Sequence, residues 1–229
     1  MKLLWELYPF FYERIRDFKP YEDLLTEVER ALDVKEIGKY LDLGCGTGEF
    51  LYKIGVKHPN LSLYGIDISK ISLKLAQRKC SSLKNLKFYL HDITKGLPFP
   101  DSFFNGVVSI HLLNYLPKSS LFTYFNECYR VLKPKGKLVI TNIERFSVRK
   151  SDDGYKNIVK EIDLTSLPFY LWIGLFNLPM KLGRNIHYYN SKCIKKLMER
   201  MGFNVEILQG VYLGSTSILK GEKLKASKD

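Results

Sequence analysis

The chain has 229 residues, 45% of them hydrophobic and 26% charged, which is the balance of an ordinary globular protein with one sizeable core. No apolar run reaches the roughly 18 residues of a membrane-spanning helix, and Glu6, Glu13 and Arg14 interrupt the apolar start, so no secretory leader is expected. The formal net charge is +12, which leaves a nucleic acid or an anionic membrane surface open as partners, although acidic residues are interspersed and no dense basic arm is present. Cys45, Cys80, Cys128 and Cys193 form no C-x-x-C pair. That spacing argues against a metal site or a disulfide framework, and it suits a reducing, cytoplasmic setting.

In chain order, residues 3–36 read mostly as helix. Leu24, Leu25, Val28, Ala31 and Leu32 fall on one helical face. Ahead of them stands an aromatic cluster of Trp5, Tyr8, Phe10, Phe11 and Tyr12, suited either to core packing or to capping a pocket. Tyr40-Leu41-Asp42-Leu43-Gly44-Cys45-Gly46-Thr47-Gly48-Glu49-Phe50 then reads as a strand, a tight glycine loop and the start of a helix. Apolar runs and helical patterns alternate after it. Strands are expected at 61–66, 86–90, 107–110 and 137–140, and helices at 69–83, with Ser69 as N-cap, and 118–132.

Residues 144–189 break the rhythm. A polar stretch is followed by Leu167, Phe169, Tyr170, Leu171, Trp172, Ile173, Leu175 and Phe176, too short and too broken by Pro168 and Pro179 to span a bilayer. This segment reads as an insertion over the ligand edge. A last helix over 191–201 and closing strands at 203–208 and 212–219 follow, with a frayed tail from Lys220. The whole implies one domain over 1–229, with 1–36 as a helical cap. Its fold class is α/β: a doubly wound, seven-stranded, mostly parallel Rossmann-like sheet with an insertion before the last helix.

Ligands of such sheets lie outside the carboxyl ends of the strands, where strand order reverses. The glycine loop belongs there and presents bare amides to a ligand. Three acids stand at successive strand tips. Asp42 is placed to attract an ammonium group, Asp67 to accept two ribose hydroxyls, and Asp92 to accept from an exocyclic amine while the backbone of Ile93 meets a ring nitrogen. Together they favour an adenosine-type ligand.

The segments Leu41-Asp42-Leu43-Gly44-Cys45-Gly46-Thr47-Gly48, Gly65-Ile66-Asp67-Ile68-Ser69, His91-Asp92, Leu97-Pro98-Phe99-Pro100-Asp101-Ser102-Phe103-Phe104 and Arg130-Val131-Leu132-Lys133-Pro134-Lys135-Gly136 resemble class I S-adenosylmethionine-dependent methyltransferases, in particular the group that includes the ubiquinone and menaquinone biosynthesis enzymes. The resemblance implies S-adenosyl-L-methionine as cofactor and S-adenosyl-L-homocysteine as product. It places Asp42, Gly44, Cys45, Gly46 and Gly48 around the methionine and ribose, Asp67 on the ribose, Ile68 on the adenine, Asp92 and Ile93 at the adenine edge, and Ser109 near the methionine. It also notes a departure, since relatives carry Asp where this chain has Asn105.

Methyl transfer from a sulfonium needs position and a dry pocket more than a nucleophile. Where a general base is required, His111, just past the fourth strand, stands on the right edge. Tyr12, Asn114, Tyr115, His187 and Tyr188 are further candidates for the substrate side. A small, partly apolar acceptor is the leading expectation. An RNA, protein or lipid acceptor and a cofactor-binding module without catalysis are the alternatives. A nicotinamide dehydrogenase is disfavoured, because Glu49 occupies the third glycine's place in G-x-G-x-x-G.

Overall fold

The computed structural model describes residues 19–144, 186–211 and 216–224. The expected aromatic cluster around Tyr12, the apolar part of the insertion and the last five residues lie outside them.

Helix α1 (Lys19–Leu32) turns Tyr21, Leu24, Leu25, Val28, Ala31 and Leu32 inward. Each leucine buried this way contributes roughly 2 kcal/mol, which holds a helix too short to be stable alone. Strand β1 (Gly38–Leu43) leads through the glycine loop into α2 (Glu49–Lys57), and β2 (Leu61–Asp67) leads into α3 (Lys70–Lys79). Ser69 caps α3, its hydroxyl accepting from the Ser72 amide at 3.1 Å. The helix stops at Lys79 rather than at the expected residue 83. The Cys80 amide makes the last helical bond, to the Ala76 carbonyl; beyond it the Ser81 and Leu83 amides bond only three residues back, to Arg78 and Cys80, as in turns. Strand β3 (Leu86–Leu90), β4 (Phe104–Ser109), α4 (Leu121–Val131) and β5 (Leu132–Ile143) complete the alternating part. Residues Lys118–Ser120, read as the start of a helix, form a separate 3-10 turn after Pro117.

The sheet order is β3-β2-β1-β4-β5-β7-β6, with β6 at Phe203–Val211 and β7 at Thr216–Lys223. Strands β1 to β5 are parallel, and β7 runs antiparallel between β5 and β6. Helix α5 (Ser191–Arg200) is capped by Asn190, which accepts from the amides of Lys192 and Cys193. Helices α1, α2 and α3 cover one face, around Phe50, Ile54, Leu73, Val108 and Val139. Helices α4 and α5 cover the other, around Leu41, Ile66, Phe104, Phe125 and Met198. Chain direction across the sheet reverses between β1 and β4, so the glycine loop opens at the switch point.

The tail is a correction. Lys220 to Lys223, read as frayed, are the last residues of β7, a strand with neighbours on both sides. Gly221 packs so closely that an added Cβ would meet Met198 at 2.7 Å. The Lys223 ammonium donates to the Tyr129 and Leu132 carbonyls, each at 2.7 Å, and closes the carboxyl end of α4. Lys220, Glu222 and Lys223 look like a solvated tail, although Lys220 stands between the buried Leu219 and Gly221.

Candidate functional site

Gly44, Gly46 and Gly48 all have left-handed backbones, with φ of 70°, 52° and 80°. Two of them serve different ends. A Cβ on Gly44 would come within 2.9 Å of Leu112, so the loop after β4 rests directly on the glycine loop; a Cβ on Gly46 would meet nothing within 4 Å, so that residue faces open space. The loop is pinned from β2: the Cys45 amide donates to the Ile66 carbonyl at 2.9 Å, and the Gly46 amide to Asp67 Oδ2 at 2.9 Å. Helix α2 starts on Gly48 without a side-chain cap, so its first amides are not taken by a capping side chain. Glu49, in the first turn, is an ion-pair partner of Lys79 on α3.

The three acids have three different environments. Asp42 is 3% exposed, and among the described residues its carboxyl makes no hydrogen bond. Burial first, and the nearby Asp67 second, raise its carboxyl well above the ordinary carboxylate range. Asp67 accepts from the amides of Gly46 and, at 2.8 Å, Ser69, so it latches loop to strand besides facing the edge. Asp92 caps the 3-10 turn Ile93–Lys95 through the Thr94 amide and hydroxyl, at 3.0 and 2.7 Å. Burial pulls Asp92 up, but the two Thr94 bonds, with Lys95 and His91 nearby, outweigh it and hold the carboxyl below its ordinary value.

Cys45 and Ile93 bury their side chains in the two cores, so their only groups on the edge are backbone; burial pushes the Cys45 thiol up, away from reactivity. Ser109 is fully buried at the tip of β4. Ile68 is 43% exposed, and Leu90, at the tip of β3, is 57% exposed. These two exposed apolar side chains stand at the same edge as Asp67 and Asp92. Leu90 escaped the sequence reading because nothing in Leu-Lys-Phe-Tyr-Leu marks its last residue as uncovered.

On the other half of the edge, His111 has a left-handed backbone, φ 55°. Its amide donates to Thr141 Oγ1 at 2.7 Å, and its ring lies 6.4 Å from that of Tyr21. Burial pushes the imidazole down to about 4, so it is neutral at pH 7. Asn114 is a correction. It is 1% exposed, and its amide is used on backbone: Nδ2 donates to the Ile143 and His187 carbonyls, each at 2.8 Å, while Oδ1 accepts from the Ile143 amide at 3.0 Å. It therefore ties the two ends of the insertion to each other rather than lining a pocket. His187 continues that tie, its amide donating to the Asn114 carbonyl at 2.6 Å. Tyr188 is exposed and Tyr115 partly buried, while Tyr12 lies outside the described residues. Sequence reasoning missed Thr141, Tyr21 and Leu112, whose importance comes from partners far along the chain.

Two motifs that carried the resemblance turn out to be one clamp. The Arg130 guanidinium forks onto Glu127, at 2.7 Å on each arm, and reaches the Phe99 and Leu97 carbonyls at 2.8 and 3.0 Å and Asp101 at 2.8 Å. It holds the loop after β3 against α4. Asn105 accepts from the Lys39 amide at 3.0 Å and Lys133 at 3.2 Å, at the start of β4, the end opposite the glycine loop. Among the described residues no group of three or more His, Cys, Asp or Glu is placed to hold a metal, and no helix is long and apolar enough to cross a membrane.

The geometry can be set beside known proteins. A family profile described as "Methyltransferase domain" matches residues 35–187. The demethylmenaquinone methyltransferase of Thermotoga maritima is 30% identical over 202 residues, 82% of this chain and 81% of that protein. The putative methyltransferase YqeM of Bacillus subtilis is 31% identical over 147 residues, 64% of this chain and 58% of that one. The chain thus spans little more than half the length of that second relative. A solved methyltransferase structure from Aquifex aeolicus, described as S-adenosylmethionine-dependent, superposes with a TM-score of 0.61 at 18% identity, covering 92% of this chain and 93% of its own. From the sheet order, the glycine loop at the switch point and the profile match over most of its length, the chain belongs to the methyltransferase-domain family and has the class I S-adenosylmethionine-dependent methyltransferase fold.

Proposed function

We propose that this chain transfers the methyl group of S-adenosylmethionine to a small, partly apolar acceptor. One observation carries the cofactor half of the reading. Asp42 is a buried acid whose carboxyl has, among the described residues, no hydrogen bond and no nearby cation, and it is set beside an open glycine loop. Such a group is unfavourable by itself and becomes favourable beside a ligand ammonium. The rest of the edge fits the same molecule: Asp67 for ribose hydroxyls, Ile68 and Leu90 as an apolar platform for adenine, Asp92 and the Ile93 backbone for its edge, and the backbones of Gly44, Gly46 and Ser109 for the methionine part. When bound, the cofactor supplies an electrophilic methyl on sulfur. The protein's own groups then hold it and exclude water.

The acceptor half is supported by the aromatic content of residues 144–189 and by the ring pairs Tyr21–His111 and His187–Tyr189. The Thermotoga relative's name points to a quinone-like acceptor. Four cysteines without a disulfide among them support a reducing, cytoplasmic setting. Calorimetric titration with S-adenosylhomocysteine, followed by turnover of phenols, quinones and amines, tests both halves. Absence of binding would sink the cofactor assignment, and binding without any methylated product would leave a non-catalytic module.

A nucleic-acid acceptor is the second reading. Over residues 68–100, Lys74, Arg78, Lys84, Lys87 and Lys95 are exposed, and Asp92 is the one acid. RNA binding that weakens steeply with salt favours this reading, and salt-insensitive or absent binding removes it.

A further inference from the structure

Strand β3 is an outer strand of the sheet, and among the described residues it pairs with β2 alone. The parallel ladder fixes which of its backbone groups are used. The Leu63 amide donates to the Asn85 carbonyl at 2.8 Å, and the His91 amide donates to the Asp67 carbonyl at 3.1 Å. Backbone direction alternates along a strand, so Lys87 and Tyr89 also bond β2, while the N–H and C=O groups of Leu86, Phe88 and Leu90 point away from the sheet. No hydrogen bond takes these groups up among the described residues.

The side chains of this edge have two characters. On the face that α3 covers, Leu86 and Phe88 are half-buried against the core. On the opposite face Tyr89 packs on Tyr64 and Phe99, and Lys87 beside it is exposed. Lys84 and Lys87, with Lys74 and Arg78 on the adjoining α3, make no ion pair among the described residues. The edge is therefore apolar at its base, cationic at its rim and open along its backbone.

Open backbone groups on an outer strand accept a further strand, and charge complementarity selects which. A second copy of this chain fits poorly, because pairing β3 with β3 brings Lys84 and Lys87 against another set of lysines. A nucleic acid satisfies the lysines but has no row of amides and carbonyls to complete the ladder. An anionic lipid surface lacks one as well. We propose that the outer edge of β3 is a docking site for an extended, acidic segment of another protein. The segment adds a strand beside β3, with its apolar side chains on Leu86 and Phe88 and its carboxylates toward Lys87. This goes beyond the methyltransferase reading and stands without it.

The test uses the full chain and a capped peptide of about twelve residues alternating Glu and Val, the period that a docked strand requires. An alternating Lys and Val peptide, an oligouridylate and phosphatidylglycerol vesicles are the comparisons. Calorimetry and residue-resolved amide hydrogen exchange are measured. In the free protein the Leu86 and Phe88 amides should exchange at least about tenfold faster than those of Lys87 and Tyr89. The acidic peptide should bind and slow the Leu86 and Phe88 amides about tenfold, and the basic peptide should leave them unchanged. Phe88→Pro removes an outward N–H and no bond to β2, so it should weaken the peptide at least about tenfold. Lys87→Glu should weaken it as much at an unchanged melting temperature, which keeps the site readable if Phe88→Pro unfolds the chain. The proposal is overturned if the acidic peptide fails to slow these amides, or if the basic peptide slows them equally. It is also overturned if the Phe88 amide is already protected in a free chain that sediments as a dimer, or if only the oligouridylate or the vesicles bind.

Discussion

Gly46 and Asp67 meet across the mouth of the first crossover, the Gly46 amide donating to Asp67 Oδ2 at 2.9 Å. One carboxylate thus shapes the loop and, in the proposed function, is also the group that takes the ribose hydroxyls. Replacing Asp67 with Ala removes both its amide bonds, each a charge-assisted bond worth about 1.5–3 kcal/mol. The expected outcome is S-adenosylhomocysteine affinity down at least tenfold together with a lower melting point. Calorimetry and thermal melts check it. Unchanged affinity would mean that Asp67 only latches the loop.

Asp42 is expected to trade stability for binding. Its folded-state pKa lies above the ordinary 3.8, so the native protein holds a proton that the unfolded chain releases. Stability of the empty protein therefore falls as pH rises from 3.8 toward the raised value. Asp42→Asn should flatten that fall and gain on the order of 1 kcal/mol at pH 8, since each pKa unit is worth about 1.4 kcal/mol. It should also weaken S-adenosylhomocysteine at least tenfold, by leaving the ligand ammonium unpaired. Denaturant melts from pH 5 to 8 decide; an Asn variant less stable than wild type at pH 8 contradicts the assignment.

Asn114 should behave as a structural tie. Asn114→Ala gives up three side-chain hydrogen bonds to buried backbone, at about 1 kcal/mol each and more where a partner stays buried and unpaired. Stability should fall by roughly 3 kcal/mol, while cofactor affinity stays within about threefold. The same melts and titrations read both, and a selective loss of affinity would return Asn114 to the site.

Arg130→Lys tests the clamp between α4 and the loop after β3. A lysine cannot fork onto Glu127 and reach the Leu97 and Phe99 carbonyls at the same time. About 2 kcal/mol of stability should be lost, with cofactor affinity unchanged. If binding falls before stability does, the clamp reaches further toward the cofactor than its contacts indicate.

The glycine loop, the three acids and the alternation of strands with helices were legible because each is written in neighbouring residues. Glycine spacing, a period of two or of 3.6, and an acid after an apolar run need no knowledge of distant partners. The errors fell where long-range contacts decide. Asn114 reads as a polar loop residue until its amide is seen bonded to Ile143 and His187. Lys220 to Lys223 read as a tail until β5 and β6 flank them.

By itself, the sequence determined the order of elements, the glycine loop after the first strand and the acids at the strand tips, all through patterns of neighbouring residues. Only the tertiary structure decided that Asp42 is buried with no counter-charge among the described residues, that Leu90 is left uncovered, that Leu112 walls the glycine loop and that the His111 amide bonds Thr141 in a left-handed turn. Those outcomes depend on which surfaces the sheet brings together and which it removes from water, and no stretch of neighbouring residues encodes either.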